Sequence, residues 1–183
     1  MNLAALAMTD LPRPIPESYW VIPGRFLAGK YPGGFERDQV RLRIGKLLEA
    51  GLDTFINLTH PNELPSYEAT LEEQARLGQK DARHLRFSVT DFGLPSHAGM
   101  RATLDAPDTA LNEGRNIYLH CWAGVGRTGT VVGCYLVRHG VSGQQALVQL
   151  AAWWKTDPRR DRFKRSPETD EQTQFILNWH ELA

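Results

Sequence analysis

Cys121 and Arg127 stand six residues apart in His120-Cys121-Trp122-Ala123-Gly124-Val125-Gly126-Arg127-Thr128-Gly129. A thiol and a guanidinium held close together are the parts of a nucleophile that attacks an anion. The apolar run Asn116-Ile117-Tyr118-Leu119 precedes the stretch and Thr130-Val131-Val132-Gly133-Cys134-Tyr135-Leu136-Val137 follows it, so the order reads strand, glycine loop, helix. A loop ending at a helix N-terminus presents unpaired N–H groups and the positive end of the helix dipole, which suits a tetrahedral anion. Gly124 and Gly126 let the backbone curl inward. Among inward amides and a guanidinium, the thiolate is the favoured form of a cysteine. Arg127 can grip two phosphate oxygens through its planar fork. Trp122, Ala123, Gly124, Val125, Gly126 and Arg127 would line the anion cradle.

The stretch resembles the signature of the cysteine-dependent protein tyrosine and dual-specificity phosphatases: His-Cys, five residues, Arg, Ser/Thr, then usually Gly. His120, Cys121, Arg127, Thr128 and Gly129 occupy its fixed positions. The resemblance implies hydrolysis of a phosphate monoester through a phosphocysteine. Cys121 would attack phosphorus in line, and the departing oxygen needs a proton. Relatives keep an aspartate on a mobile upstream loop for this, and Asp91 in Thr-Asp-Phe-Gly-Leu-Pro, thirty residues before Cys121, resembles it. Asp105 and Asp108 fall in or beside an expected helix and suit the role less. Thr128, by the same resemblance, would hydrogen-bond the sulfur as it leaves. His120 is expected to order the loop through its ring nitrogens.

Near the C-terminus, Ser166-Pro167-Glu168-Thr169-Asp170-Glu171-Gln172 resembles the loop in which tyrosine-specific relatives position the attacking water with a glutamine. Thr169 and Gln172 match, but Glu168 stands where the first glutamine would be. Gln172 either takes over that task or is an ordinary residue of a capped helix.

The elements that must position these groups follow from periodicity. Tyr19–Ile22 and Arg25–Gly29 read as a hairpin at the edge of a sheet, about the turn at Pro23-Gly24. Val40, Ile44, Leu47 and Leu48 give a helix over 36–50, closed by Gly51 as a left-handed cap. Strands follow over 54–58 and 84–89, with a helix from Ser66 to about Lys80 between them. A helix is expected over 97–112. After the signature loop and its helix, Ser142 and Gln145 form a capping-box pattern for a helix through Trp153-Trp154. Ser166 as N-cap and Pro167 at N1 would start the last one. Pro12, Pro14 and Pro16 make residues 1–18 an extended arm, leaving 19–183 as one domain.

The expected fold is α/β: a central, mostly parallel twisted sheet flanked by helices, with the signature loop between strand and helix. In such sheets sites lie beyond the carboxyl ends of the strands. The loops after Leu58, Val89 and Leu119 should gather there, bringing Asp91 to Cys121.

Composition narrows the function classes. With 183 residues, 42% hydrophobic, 23% charged and net charge zero, the chain reads as one ordinary globular domain. Zero net charge gives no nucleic-acid footprint, and no apolar run approaches a membrane span. The first eight residues lack the basic start of a signal peptide. Two cysteines make no disulfide framework, and Cys134 would lie roughly 10 Å along a helix from Cys121. A reducing, cytoplasmic setting is expected. No metal and no cofactor is expected, since Cys/His ligand spacing is absent.

The expected partner is a phosphorylated protein or peptide, phosphotyrosine first, with phosphoserine or phosphothreonine also open. The compact dual-specificity type is the architecture implied. A phosphoinositide or other small phosphate ester is the alternative, weakened by the absence of lysine within the loop. A non-catalytic phosphate-binding module is the second alternative. The basic run Lys155, Arg159, Arg160, Arg162, Lys164 and Arg165 is either a solvated loop or a receiver of acidic substrate flanks. Arg13, Arg25 and His60 have no context that singles them out.

Overall fold

The computed structural model describes residues 11–181. Its strands are β1 (Ser18–Ile22), β2 (Phe26–Gly29), β3 (Thr54–Asn57), β4 (Arg83–Arg86) and β5 (Ile117–His120). The helices are α1 (Arg37–Glu49), α2 (Glu68–Leu77), α3 (His97–Asn112), α4 (Gly126–Arg138), α5 (Gly143–Trp154) and α6 (Asp170–Leu177). The strands form one sheet in the order β1-β2-β5-β3-β4. Only the edge pairing of β1 with β2 is antiparallel; β2–β5, β5–β3 and β3–β4 are parallel.

Both faces of the sheet are covered, as parallel strands require. Alternate residues of β5 point to opposite sides: Ile117 and Leu119 join the core under α3 to α6, whereas Tyr118 joins the core under α1 and α2. The same alternation sends Ile56 to the first core and Phe55 to the second. Central strands buried on both faces read as continuous apolar runs, as Ile117-Tyr118-Leu119 of β5 does.

The arm expected over 1–18 falls partly outside the described residues. Within 11–17 the chain has neither helix nor strand, yet Ile15 is buried and Trp20 Nε1–H donates to Pro12 O at 3.3 Å. Strand β4 stops at Arg86, not at Val89. Its neighbour β3 ends at Asn57, whose carbonyl oxygen Oδ1 turns back to accept from Thr59 N–H at 2.9 Å and Thr59 O–H at 2.8 Å. Phe87 and Val89 continue only as single bonds to Asn57 O and Leu58 O, at 2.9 and 3.0 Å. Helix α2 is shorter than 66–80, because Gly78 caps it and Gln79 takes a positive φ of 52°.

The last helix corrects the expectation most. Ser166 does not cap it: its hydroxyl donates to Val125 O at 2.9 Å, tying this segment to the signature loop instead. The Ser166–Pro167 peptide is cis. Thr169 is the N-cap, with Gln172 completing a capping box, so α6 begins at Asp170. Trp153 and Trp154, at the end of α5, are both buried. Among the described residues no helix is long and apolar enough to cross a membrane.

Candidate active site

Strand β5 delivers His120 and Cys121 to the carboxyl edge of the sheet, and α4 starts five residues later at Gly126. Gly124 makes the reversal possible, with φ +74° and no room for a side chain: a Cβ there would lie 2.4 Å from Gly29 C and O. Its N–H donates to Cys121 Sγ at 3.3 Å. The loop carbonyls face outward. Trp122 O accepts from Tyr31 N–H at 2.9 Å, Ala123 O from Arg159 Nη1–H at 2.5 Å, and Val125 O from the Ser166 hydroxyl. With the carbonyls bound on the outside, the amides are left to the inside, which is the polarity an oxyanion requires.

The loops expected to gather do so. Arg127, only 2% exposed, donates through Nη1 to Glu63 Oε2 at 2.9 Å and Val89 O at 3.1 Å. Its Nη2 donates to Glu63 Oε1 at 2.7 Å and lies 3.0 Å from Asp91 Oδ1. One guanidinium therefore joins the loops after β3, β4 and β5. Arg127 Nε is buried and has no partner within the described residues, as is Thr128 Oγ1. These two donors complement an anion seated on the loop. In the resting structure the donor on Cys121 Sγ is Gly124 N–H, and the Thr128 hydroxyl is unpaired.

His120 is fully buried between Tyr67 and the loop. Its Nε2 lies 2.6 Å from the Tyr67 hydroxyl and its Nδ1 3.3 Å from Cys121 O. The tautomer that satisfies both places the proton on Nδ1, donating to Cys121 O, and accepts Tyr67 O–H at Nε2. Burial pushes the ring's pKa down to about 3, so His120 is neutral and serves to orient the loop.

Cys121, 3% exposed, lies at the floor of a cavity also lined by Asp91, Phe92, Trp122, Phe163 and Glu168. Phe92 and Trp122 are both substantially exposed at its mouth. The Glu168 carboxyl is raised above its ordinary range by burial and by the Asp91 charge, against the opposing pull of Arg127. Its Oε2 would be 3.2 Å from a Cβ on Gly126, which places it over the start of α4.

Gln172 is buried beside the loop, with its amide bonded at both ends. Oε1 accepts from Glu168 N–H at 3.1 Å and Thr169 N–H at 3.2 Å, and Nε2 donates to Gly93 O at 3.3 Å. It ties α6 to the loop that carries Asp91. Asp105 and Asp108 lie elsewhere, paired with Arg138 at 2.8 and 3.0 Å. Cys121 and Cys134 are both free thiols. Arg25 donates to Leu111 O and Arg115 O and Arg13 to Ser18 O, so both serve the scaffold, whereas the backbone N–H of His60 donates to Glu63 Oε2.

Sequence reasoning missed Glu63, Tyr67, Phe92 and Phe163, and the contact of Arg159 with the loop. Glu63 carried a usable signal, being the one acid in the loop after β3. Tyr67 and Phe163 carried none, since only the folded chain brings them to the loop.

The family model described as "Swiss Army Knife protein, DSP-PTPase phosphatase domain" matches residues 16–176. The mouse protein tyrosine phosphatase domain-containing protein 1 is 31% identical over 143 residues, 74% of this chain and 19% of that protein. The Arabidopsis thaliana phosphatidylinositol 3,4,5-trisphosphate 3-phosphatase and protein-tyrosine-phosphatase PTEN1 is 28% identical over 129 residues, 69% of this chain and 30% of that protein. The chain thus spans less than a third of either relative. Among solved structures, Tk-PTP in its active form superposes with a TM-score of 0.67 at 23% identity, covering 88% of this chain and 94% of that one, a likeness of fold.

Proposed function

This chain belongs to the DSP-PTPase phosphatase family, and from that premise we propose that it hydrolyses aryl phosphate monoesters, phosphotyrosine in a protein or peptide foremost, through a phosphocysteine on Cys121. The observation that carries the reading is the recessed Cys121 beneath Phe92, Trp122 and Phe163, with no lysine among the lining residues. A phosphotyrosine ring is long enough to bring its phosphorus down to a sunken sulfur and apolar enough to lie between those rings. A short alkyl ester is neither.

In the first step Cys121 Sγ attacks phosphorus. The P–S bond forms as the P–O ester bond breaks, and Asp91 gives its proton to the departing oxygen. Arg127 Nε and the loop amides hold the three equatorial oxygens. In the second step water attacks phosphorus, the P–S bond breaks, and inorganic phosphate leaves with the thiolate restored. The proton of that water goes to a carboxylate at the cavity wall and then to solvent, from which Asp91 regains the proton it gave up. Glu168, facing the cavity, can accept the water's proton, whereas the amide of Gln172 is no base. Thr128 supports the leaving sulfur from its unpaired hydroxyl. Since Cys121 acts as a free thiolate, a reducing compartment such as the cytoplasm suits it.

The second reading, a phosphoinositide as substrate, draws support from the name of the Arabidopsis relative. Comparing kcat/KM on a phosphotyrosine peptide, a phosphoserine peptide and a soluble phosphoinositide decides between them. The phosphotyrosine peptide is expected to lead, and a phosphoinositide preference would overturn the proposal. Cys121→Ser is expected to abolish turnover while retaining anion binding; hydrolysis by that variant would remove Cys121 from the nucleophile's role.

A further inference from the structure

The basic run from 155 to 165 is not absorbed by the chemistry above, and one of its members differs from the rest. Lys155, Arg160, Arg162, Lys164 and Arg165 are exposed. The Arg159 side chain is only 16% exposed, and every edge of its guanidinium is used. Nε–H and Nη2–H donate to Asp157 Oδ1 and Oδ2 at 2.9 and 2.7 Å. Asp157 is itself buried, and its Oδ1 also accepts Arg159 N–H at 2.8 Å. The rings of Trp154 and Phe163 lie 5.7 and 6.0 Å from Cζ. This leaves Nη1, which donates to Ala123 O at 2.5 Å.

Ala123 C=O and Gly124 N–H are the two ends of one planar peptide unit, pointing in opposite directions. The outward end is held by Arg159 and the inward end donates to Cys121 Sγ. Gly124 sits at φ +74° and has no side chain to resist rotation of that unit. Flipping it would turn a carbonyl oxygen toward the thiolate and the incoming phosphate. We infer that Arg159 is a positioning residue that locks the Ala123–Gly124 peptide with its N–H directed into the anion cradle. A charged donor on the carbonyl also polarises the peptide and strengthens the N–H at its other end. A lysine has no planar fork and cannot hold Asp157 and Ala123 O in the same way. The inference rests on the loop acting as an anion cradle, as proposed above, and not on the identity of the substrate.

The test uses inorganic tungstate as the anion, with binding measured by calorimetry, and the 1H–15N resonance of Gly124 as a local reporter. Arg159→Ala is expected to weaken tungstate binding and kcat/KM by about tenfold, the worth of one charge-assisted hydrogen bond. It should also move the Gly124 resonance while the far-UV CD spectrum stays that of the wild type. Added guanidinium at millimolar concentration should restore part of the lost activity, and Arg159→Lys should recover less than the wild type. Arg160→Ala and Lys164→Ala, which remove equal charge from the same segment, should change neither quantity. If Arg159→Ala does not fold, Asp157→Asn carries the test. That variant keeps Arg159 but loosens its fork, and a severalfold loss of tungstate affinity with a shifted Gly124 resonance is expected. Wild-type tungstate affinity with an unmoved Gly124 resonance in the folded variant would overturn the inference. A wild-type protein that hydrolyses no aryl phosphate would sink the proposed function alone, since tungstate binding and the Gly124 resonance still decide the part played by Arg159.

Discussion

Glu63 holds Arg127 by the edge that does not face the cradle. Its two carboxylate oxygens take Nη1 and Nη2 at 2.9 and 2.7 Å, which leaves Nε buried and unpartnered. Burial works to raise the Glu63 carboxyl, but hydrogen bonds from Arg127 and from His60 N–H outweigh it and hold the group below its ordinary range. Glu63 is thus ionised wherever the enzyme would operate, and it fixes the direction in which the guanidinium can grip a phosphate.

Replacing Glu63 with Gln keeps the shape but removes the countercharge. The expected result is a fall of about tenfold in kcat/KM, mostly in KM, together with a lower Tm. Because the carboxyl is depressed in the folded state, its contribution to stability is present above the unfolded carboxylate value and is lost as pH falls through the folded one. The Tm difference between wild type and Glu63→Gln should therefore shrink on acidification. A difference that persists unchanged at low pH would mean that packing, not charge, accounts for it.

Asp91 lies 3.0 Å from Arg127 with its side chain 44% exposed, at the mouth where a leaving oxygen would emerge. Asp91→Asn is expected to slow a phosphotyrosine peptide by about a hundredfold, within the range of general-acid contributions. An activated nitrophenyl ester, which needs little protonation, should lose far less. The alkaline limb of the pH–rate profile should also disappear. Equal losses on both esters with an unchanged profile would assign the acid to another group.

Tyr67 and His120 give a prediction about stability. Tyr67→Phe leaves His120 Nε2 without its donor at 2.6 Å in a fully buried place, a loss of about 1–3 kcal/mol. The folded protein keeps His120 neutral down to about pH 3, whereas the unfolded chain protonates it near its ordinary value. Between those values the unfolded state binds more protons, so stability falls as pH drops through that window, by at most about 1.4 kcal/mol per pH unit. His120→Asn should flatten this part of the stability curve. Urea titrations from pH 7 to pH 4 would show it, and an identical slope in the variant would refute it.

What could be read in the sequence depended on how local its cause was. Helix α3 runs over His97–Asn112 as expected, because Ser96 caps it by accepting Gly99 N–H and its apolar positions repeat with the helical period. Gly51 takes its positive φ of 84° for an equally local reason. The parallel sheet and the meeting of Asp91 with the signature loop followed from topology, once strands and helices alternate. Long-range bonds decided what was missed. Ser166 and Pro167 look like a helix start, yet Ser166 bonds Val125, far away in sequence, and α6 begins later. Arg159 is in sequence one charge of a basic run, open as solvated loop or receiver of substrate flanks, and only the fold sets Asp157 and Ala123 O on either side of it. Gln172 was recognised by its position, but only the fold shows that its amide joins α6 to Gly93.

Glu168 therefore becomes the group to test in the second half-reaction. Burial first, then the nearby Asp91 charge, raises its carboxyl, while Arg127 opposes them. To take a proton from water it must be ionised, so hydrolysis of the phosphocysteine should rise with pH over a range above the ordinary carboxylate value. Glu168→Gln is expected to leave the first step intact and slow the second by about tenfold or more. The signature is a burst of released phenol followed by a slow steady state, with phosphocysteine recovered on acid quench. A raised carboxyl stabilises the fold only below its ordinary value, and that contribution is lost as pH rises through the folded one. Glu168→Gln should accordingly raise Tm at neutral pH and not at acidic pH. Gln172→Ala, which cuts the tie to Gly93, should lower Tm and slow the step that depends on Asp91, without a burst. A Glu168→Gln variant that turns over as fast as the wild type, with no burst, would return the water to another group.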